Sequence, residues 1–180
     1  MRRVLEMGKP IIYWTLLNFK EWKMYLAATT KGLCYVGSQN GDYEELVAWA
    51  GKRFSGSSLV EDKEKLQVYV DEIIEYLEGE RMSFSIPFDY NGTEFQLAVW
   101  SALCEIPYGE TRVYSDIAKL IERPAAVRAV GAAIGANPIL ITVPCHRVVG
   151  KNGKLTGYRG GLEMKTRLLE LEQKDRDQGE

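Results

Sequence analysis

One histidine, His146, serves all 180 residues, and cysteine occurs only at positions 34, 104 and 145. C-x-x-C pairs and paired histidines are both missing, which argues against a Cys/His metal centre. Three cysteines far apart in sequence make no disulfide framework, so the thiols are expected to be reduced and the protein cytoplasmic. No apolar run approaches the roughly 20 residues that a membrane span needs. The opening "MRRVLEMGKPIIYWTLLNFKEW" contains no h-region ending at a small-residue cleavage site. What remains is an unbiased globular composition, 46% apolar, enough for one good core or two small ones.

Positive charge is also scarce in total, for the net charge is −2, and that argues against a polyanionic partner. The total hides an asymmetry. Residues 1–90 carry 11 Lys/Arg against 14 Asp/Glu, whereas residues 112–167 carry 10 against 3. The acidic half is matched by a basic one, and the basic one is where nucleic acid would be expected to bind.

The two halves also differ in pattern. In the first, "PIIYWTLLNF" and "KMYLAATTKGLCYVGS" predict strands, the second folding back through "TTKG" as a hairpin, while "DYEELVAWAGKRF" and "EDKEKLQVYVDEIIEYLEGE" have helical periodicity. The turn-rich "SIPFDYNGTEF" predicts a boundary near Asp89, giving an α/β domain over residues 1–88 and a helical domain over 89–180. After it come "FQLAVWSALCEI", then "VYSDIAKLIERP", then a helix starting at Pro124 that runs through "AAVRAVGAAIGA" and stops before Asn137-Pro138. The last two form a helix-turn-helix candidate. Arg128 is the only long polar side chain on the third helix. Its small residues suit either tight packing in the core or close approach to DNA without base reading.

The stretch "ILITVPCHRVVG" sets Cys145 beside His146 at the end of an apolar run. An imidazole next to a thiol can take its proton and lower its effective pKa, although adjacent side chains on an extended chain point to opposite faces. Cys34 and Cys104 lie in patterns that read as inert packing. In "GGLEMKTRLLELEQK" one helical stripe holds Lys165, Leu168, Leu169 and Glu172. Glu172 is either a solvated carboxylate near the helix end or the group that orients the imidazole.

The signature "PCHRVV" resembles the active-site motif of the O-6-alkylguanine-DNA alkyltransferases. The resemblance extends through "FQLAVWSALCEIPYGETRVYSDIAKLI", "RAVGAAIGANP" and "GYRGGLEMK", about residues 89–173. It implies an α/β ribonuclease-H-like N-terminal domain followed by an α-helical, winged helix-turn-helix-like domain holding both the DNA-binding surface and the active site. The implied activity is DNA repair. A base carrying an alkyl group, mainly O-6-methylguanine and also O-4-methylthymine, is flipped out of double-stranded DNA. The group then passes irreversibly to Cys145, one transfer per molecule and with no cofactor.

Carried across by position, the resemblance makes His146 the base, acting through a bridging water, and Glu172 the carboxylate behind it. Tyr114 assists flipping and donates to the extrahelical base, and Asn137 braces the turn carrying Cys145. Arg128 enters the duplex in place of the lost base, with Ala126 and Ala129 beside it against the minor groove, in a sequence-independent mode. The carbonyls of Cys145 and Val148, with Tyr158 and the Arg159 backbone, line the base pocket. The implied protein is a monomer. Some relatives hold a structural zinc in the N-terminal half, for which this chain has no ligand set, and Arg159 stands where a small residue is common. Two rivals keep the same residues in other roles: a sensor that binds lesions without repairing them, and a Cys-His-Glu hydrolase with no DNA partner.

Overall fold

The structure, a computed structural model, describes residues 9–178, the last four as backbone alone. Strands β1 (Ile11–Phe19), β2 (Trp22–Ala28) and β3 (Leu33–Val36) form an antiparallel meander, and β4 (Ser58–Glu61) lies parallel to β1, giving the order β3-β2-β1-β4. The "TTKG" hairpin forms as expected, closed by the Thr29 amide donating to the Gly32 carbonyl at 3.0 Å. Strand β4 has no counterpart in the sequence reading. Its four residues hold only two apolar side chains and no alternation long enough to register, so pairing with β1 is what makes it a strand. Helices α1 (Tyr43–Arg53) and α2 (Lys63–Leu77) each start at an aspartate, Asp42 and Asp62, whose side chain accepts an amide hydrogen of the first turn.

The connector between the halves is stitched to the sheet. The Leu33 amide donates to the Pro87 carbonyl and the Asp89 amide donates back to Leu33, both at 2.9 Å. The Thr29 hydroxyl donates to the Asp89 carboxylate at 2.5 Å. Chain beyond it enters α3 (Glu94–Cys104) through a Thr93/Gln96 capping box. Then follow β5 (Arg112–Val113), α4 (Tyr114–Leu120), α5 (Val127–Gly135), a 3-10 turn at Cys145–Arg147, β6 (Val148–Val149) parallel to β5, and α6 (Leu162–Gln178). The third helix of the sequence reading begins later than expected. Pro124 sits inside a turn in which the Ala126 amide donates to Arg123, and the helix starts at Val127.

Helix α5 resolves the ambiguity of its composition by having two faces. Val130, Ala133 and Ile134 are buried, and the Ala133 carbonyl accepts the Trp100 indole N–H at 2.8 Å. Arg128, Ala129, Ala132 and Gly135 are exposed. One large core runs through both halves, with Leu17, Met24 and Tyr76 continuous with Trp100, Val130, Leu140, Cys145 and Leu168. A smaller core under α1 holds Ile12, Ala27, Tyr35, Leu46 and Ala50. Among the described residues, no helix is long and apolar enough to cross a membrane.

Candidate active site

The apolar run before the motif does not continue as a strand. Asn137 intervenes: its amide nitrogen donates to the carbonyls of Ile139 (3.3 Å) and Val143 (3.2 Å) and to the Cys145 sulfur (3.1 Å), while its oxygen accepts from the Ile139 amide (3.0 Å). These bonds fold residues 137–145 into a knot and put the thiol on the amide. Ile141 is held there at φ 68°, a left-handed conformation that a β-branched residue adopts at a cost of about 1–3 kcal/mol. Pro144 then leads into the 3-10 turn, which places Cys145 and His146 in the interior, 2% and 0% exposed.

The thiol and the imidazole are set oppositely. Burial pushes the Cys145 thiol up, with the Asn137 amide and the charges of Arg159 and Lys165 pulling back only in part. Burial likewise lowers His146, outweighing the hydrogen bond and charge of Glu172. At neutral pH the pair is therefore thiol and neutral imidazole. Burial works against the lowering of the thiol that adjacency suggests. His146 Nε2 lies 2.8 Å from Glu172 Oε1. Because an ionised carboxylate only accepts, Nε2 carries the hydrogen and Nδ1 carries the lone pair. Nδ1 is buried and has no hydrogen-bond partner among the described residues.

Glu172 is no solvated carboxylate. It is 1% exposed and accepts from five donors: the Tyr76 hydroxyl at 2.6 Å, His146 Nε2, Arg147 Nε and Nη2, and the Gly109 amide at 3.1 Å. Burial raises its carboxyl, but the bonds and charges of His146 and Arg147 prevail and hold it at about 2. Arg147 also reaches the Ile106 carbonyl at 2.6 Å. The helical stripe is real for Lys165 and Leu168, both fully buried, while Leu169 is half-buried. Lys165 Nζ donates to the carbonyls of Val148 (2.6 Å) and Thr156 (3.0 Å), tying the strand after the motif to the loop that follows.

Tyr114 stands at the first position of α4, half-buried, with its hydroxyl 2.9 Å from Thr156 Oγ1 and its ring over Gly131 of α5. Tyr158 is half-buried, and its hydroxyl is enclosed with no hydrogen-bond partner among the described residues. Gly160 follows in a space between the Tyr158 ring, Met164 and Leu140 that admits no Cβ. Arg159 does not hang at the rim. Its guanidinium donates to the carbonyls of Asn137 (2.9 Å), Val36 (2.6 Å) and Pro138 (3.0 Å) and to Glu45 (2.8 Å), and it lies over the Tyr35 ring.

Cys145, His146, Glu172 and Asn137 thus converge, Tyr114 and Tyr158 stand on the loop side, and Arg128 with Ala129 lies apart on the exposed face of α5, Ala126 capping its start. Sequence reasoning gave no role to Tyr76, Arg147, Lys165 or Thr156. Arg147 had a signal, a charge inside the otherwise apolar "VPCHRVVG"; Tyr76 had none, since Leu66, Tyr69, Ile73 and Tyr76 read as a plain core stripe. Cys34 is buried against the Ala27 carbonyl, whereas Cys104 is exposed.

Fold and site together define a two-domain protein, a mixed sheet followed by a helical domain, in which the buried Cys145 thiol is held by Asn137 and the next residue is an imidazole bonded to a carboxylate. The chain belongs to the 6-O-methylguanine DNA methyltransferase family: residues 94–174 match its DNA-binding domain and residues 12–90 its ribonuclease-like domain. It is 67% identical over 170 residues to an inducible methylated-DNA–protein-cysteine methyltransferase of Bacillus subtilis, covering 94% of this chain and 95% of that one. A methylated-DNA–protein-cysteine methyltransferase of Methanosarcina acetivorans is 45% identical over 89% of this chain and 98% of its own. The crystal structure of Mycobacterium tuberculosis OGT in complex with DNA superposes with a TM-score of 0.78 at 39% identity, covering 91% of this chain and 94% of that one.

Proposed function

We propose that this protein repairs alkylated DNA by transferring the alkyl group of O-6-alkylguanine to Cys145 in a single, irreversible turnover. The observation that carries the reading is a buried thiol held by the Asn137 amide and followed in the chain by an imidazole whose Nε2 bonds Glu172, leaving Nδ1 as the proton acceptor. In the reaction, Nδ1 takes the thiol proton through a bridging water, and the sulfur attacks the alkyl carbon in line with the carbon–oxygen bond. That bond breaks with its electrons going to the guanine oxygen, and the Tyr114 hydroxyl supplies a proton to the departing base. Glu172 balances the imidazolium. The product is a thioether that water does not cleave.

Binding follows the same division of labour. The exposed face of α5 is short-sided enough to enter a minor groove without reading bases, and Arg128 fills the vacated stack, offsetting part of the few kcal/mol that flipping costs. Val148, Tyr158 and the Arg159 backbone wall the base pocket. The strand order β3-β2-β1-β4 supports a ribonuclease-H-like first domain. The α4–α5 pair with the β5/β6 ladder supports a winged helix-turn-helix second one, divided from the first near Asp89. A reduced nucleophile suits the cytoplasm.

The test is intact mass after incubation with duplex containing O-6-methylguanine. One CH2 is gained per molecule, on the peptide holding Cys145, and the protein is then inert. Repeated turnover on excess lesion, or label on the exposed Cys104, would overturn the assignment. Binding without mass gain would favour a sensor, and thioesterase activity without duplex affinity a hydrolase.

A further inference from the structure

Tyr76 belongs to α2, in the half of the molecule that, among the described residues, gives Glu172 no other hydrogen bond, and it is fully buried. Its ring packs on Phe84 at 5.5 Å and edge-on to Tyr108 at 5.8 Å, contacts that a phenylalanine would make equally well. The hydroxyl is what differs. It donates to Glu172 Oε1 at 2.6 Å, the same oxygen that holds His146, and lies 3.3 Å from His146 Nε2. A buried phenol needs an acceptor, and this one shares its acceptor with the imidazole opposite the reactive thiol.

We propose that Tyr76 is a positioning residue for the alkyl transfer: its hydroxyl fixes Glu172 Oε1, and with it the Nε2–H form and ring orientation of His146. This rests on the repair reading of Cys145 above. Two donors, Tyr76 and Arg147, hold the carboxylate from opposite partners in the chain, so His146 meets an acceptor that cannot rotate. Burial and the neighbouring Glu172 charge push the Tyr76 hydroxyl well up, so it stays a neutral donor through the reaction. The packing of α2 on the second half thereby becomes part of the chemistry.

The experiment compares wild type with Tyr76→Phe in single-turnover transfer from O-6-methylguanine duplex across pH, with thermal unfolding and nitrogen NMR of the imidazole. His146 is the only histidine, so its two ring resonances need no assignment. The charged and titratable groups facing it are Glu172 and Lys165 from α6, Arg147 and Cys145 from its own turn, and Tyr76 from α2. Loss of the hydroxyl slows transfer about tenfold, the scale of one hydrogen bond to a charged group, at unchanged affinity for undamaged duplex. It also leaves Glu172 with one donor fewer, so the His146 resonances titrate at higher pH and the acid limb of the rate profile moves the same way. An unchanged rate, or a lower rate with unmoved resonances that merely tracks thermal stability, overturns the proposal. Failure of wild type to alkylate Cys145 would instead overturn the repair reading beneath it.

Discussion

Replacing Glu172 by glutamine removes one charge and turns one acceptor oxygen into a donor, in a place where five donors converge. The new amide hydrogens face the Gly109 amide or Arg147, and Arg147, only 7% exposed at its side chain, loses its counter-charge. Breaking a buried pair from one side costs about 3–5 kcal/mol. The carboxyl's own titration gives the same scale: a fall from 4.5 to about 2 is worth about 3 kcal/mol at pH 7. Between those two values the unfolded chain binds the proton and the folded one does not, so this stability is complete above pH 4.5 and is lost as the pH falls towards 2. Linkage leaves about 1.5 kcal/mol of it at pH 3. Urea unfolding of wild type and Glu172→Gln at pH 7, 5 and 3 should give differences of about 3, 3 and 1.5 kcal/mol. Equal stability at pH 7 would refute the buried hub, and a difference that does not shrink at pH 3 would refute titration of Glu172 as its source. Transfer to Cys145 should slow in the same variant at nearly unchanged duplex affinity.

The remaining expectations concern the DNA side and the pocket wall. Arg128→Ala should slow repair in duplex far more than reaction with free benzylguanine, which needs no flipping. Arg128→Lys with rescue at low salt would reduce the residue to a phosphate contact. Thr156→Val removes the partner of the Tyr114 hydroxyl and should slow transfer by about 2- to 10-fold; an unchanged single-turnover rate would show that the contact does not orient the phenol. Arg159→Ala removes one donor each from three backbone carbonyls and Glu45, of which Val36, Pro138 and Glu45 keep another, and should cost about 1–3 kcal/mol in urea unfolding. In a double-mutant cycle the Glu45→Gln change should couple to it; additivity would mean that the carbonyls alone matter.

How much of this could be read beforehand depends on the kind of signal. Elements with a period or a stop were legible: β1, the β2–β3 hairpin, α1 to α3 and the end of α5 at Asn137-Pro138. Strand β4 was not, because its strandedness comes from β1 and not from its own four residues. Pro124 misled because a proline suits a turn as well as a helix start. The Glu172 stripe was visible as periodicity, but only tertiary packing decides whether a carboxylate at the end of a leucine face meets water or an arginine. Adjacency of Cys145 and His146 suggested a lowered thiol, whereas burial, which local sequence does not show, pushes the thiol up. Arg159 looked like a rim residue, and its acceptors, 21 to 123 positions away, leave no trace in local sequence.

The stitched connector at residues 87–89 has a mechanical consequence. A segment bonded through both the amide and the carbonyl of Leu33, with a core continuous on either side, is a strut and not a hinge. Parting the two halves would have to break these bonds and open the core they share. On the repair reading proposed above, the travel falls to the nucleotide, the rate of capture is set by how often a damaged pair opens and how long Arg128 keeps it open, and weakening the Thr29–Asp89 tie would add play where the chemistry needs none.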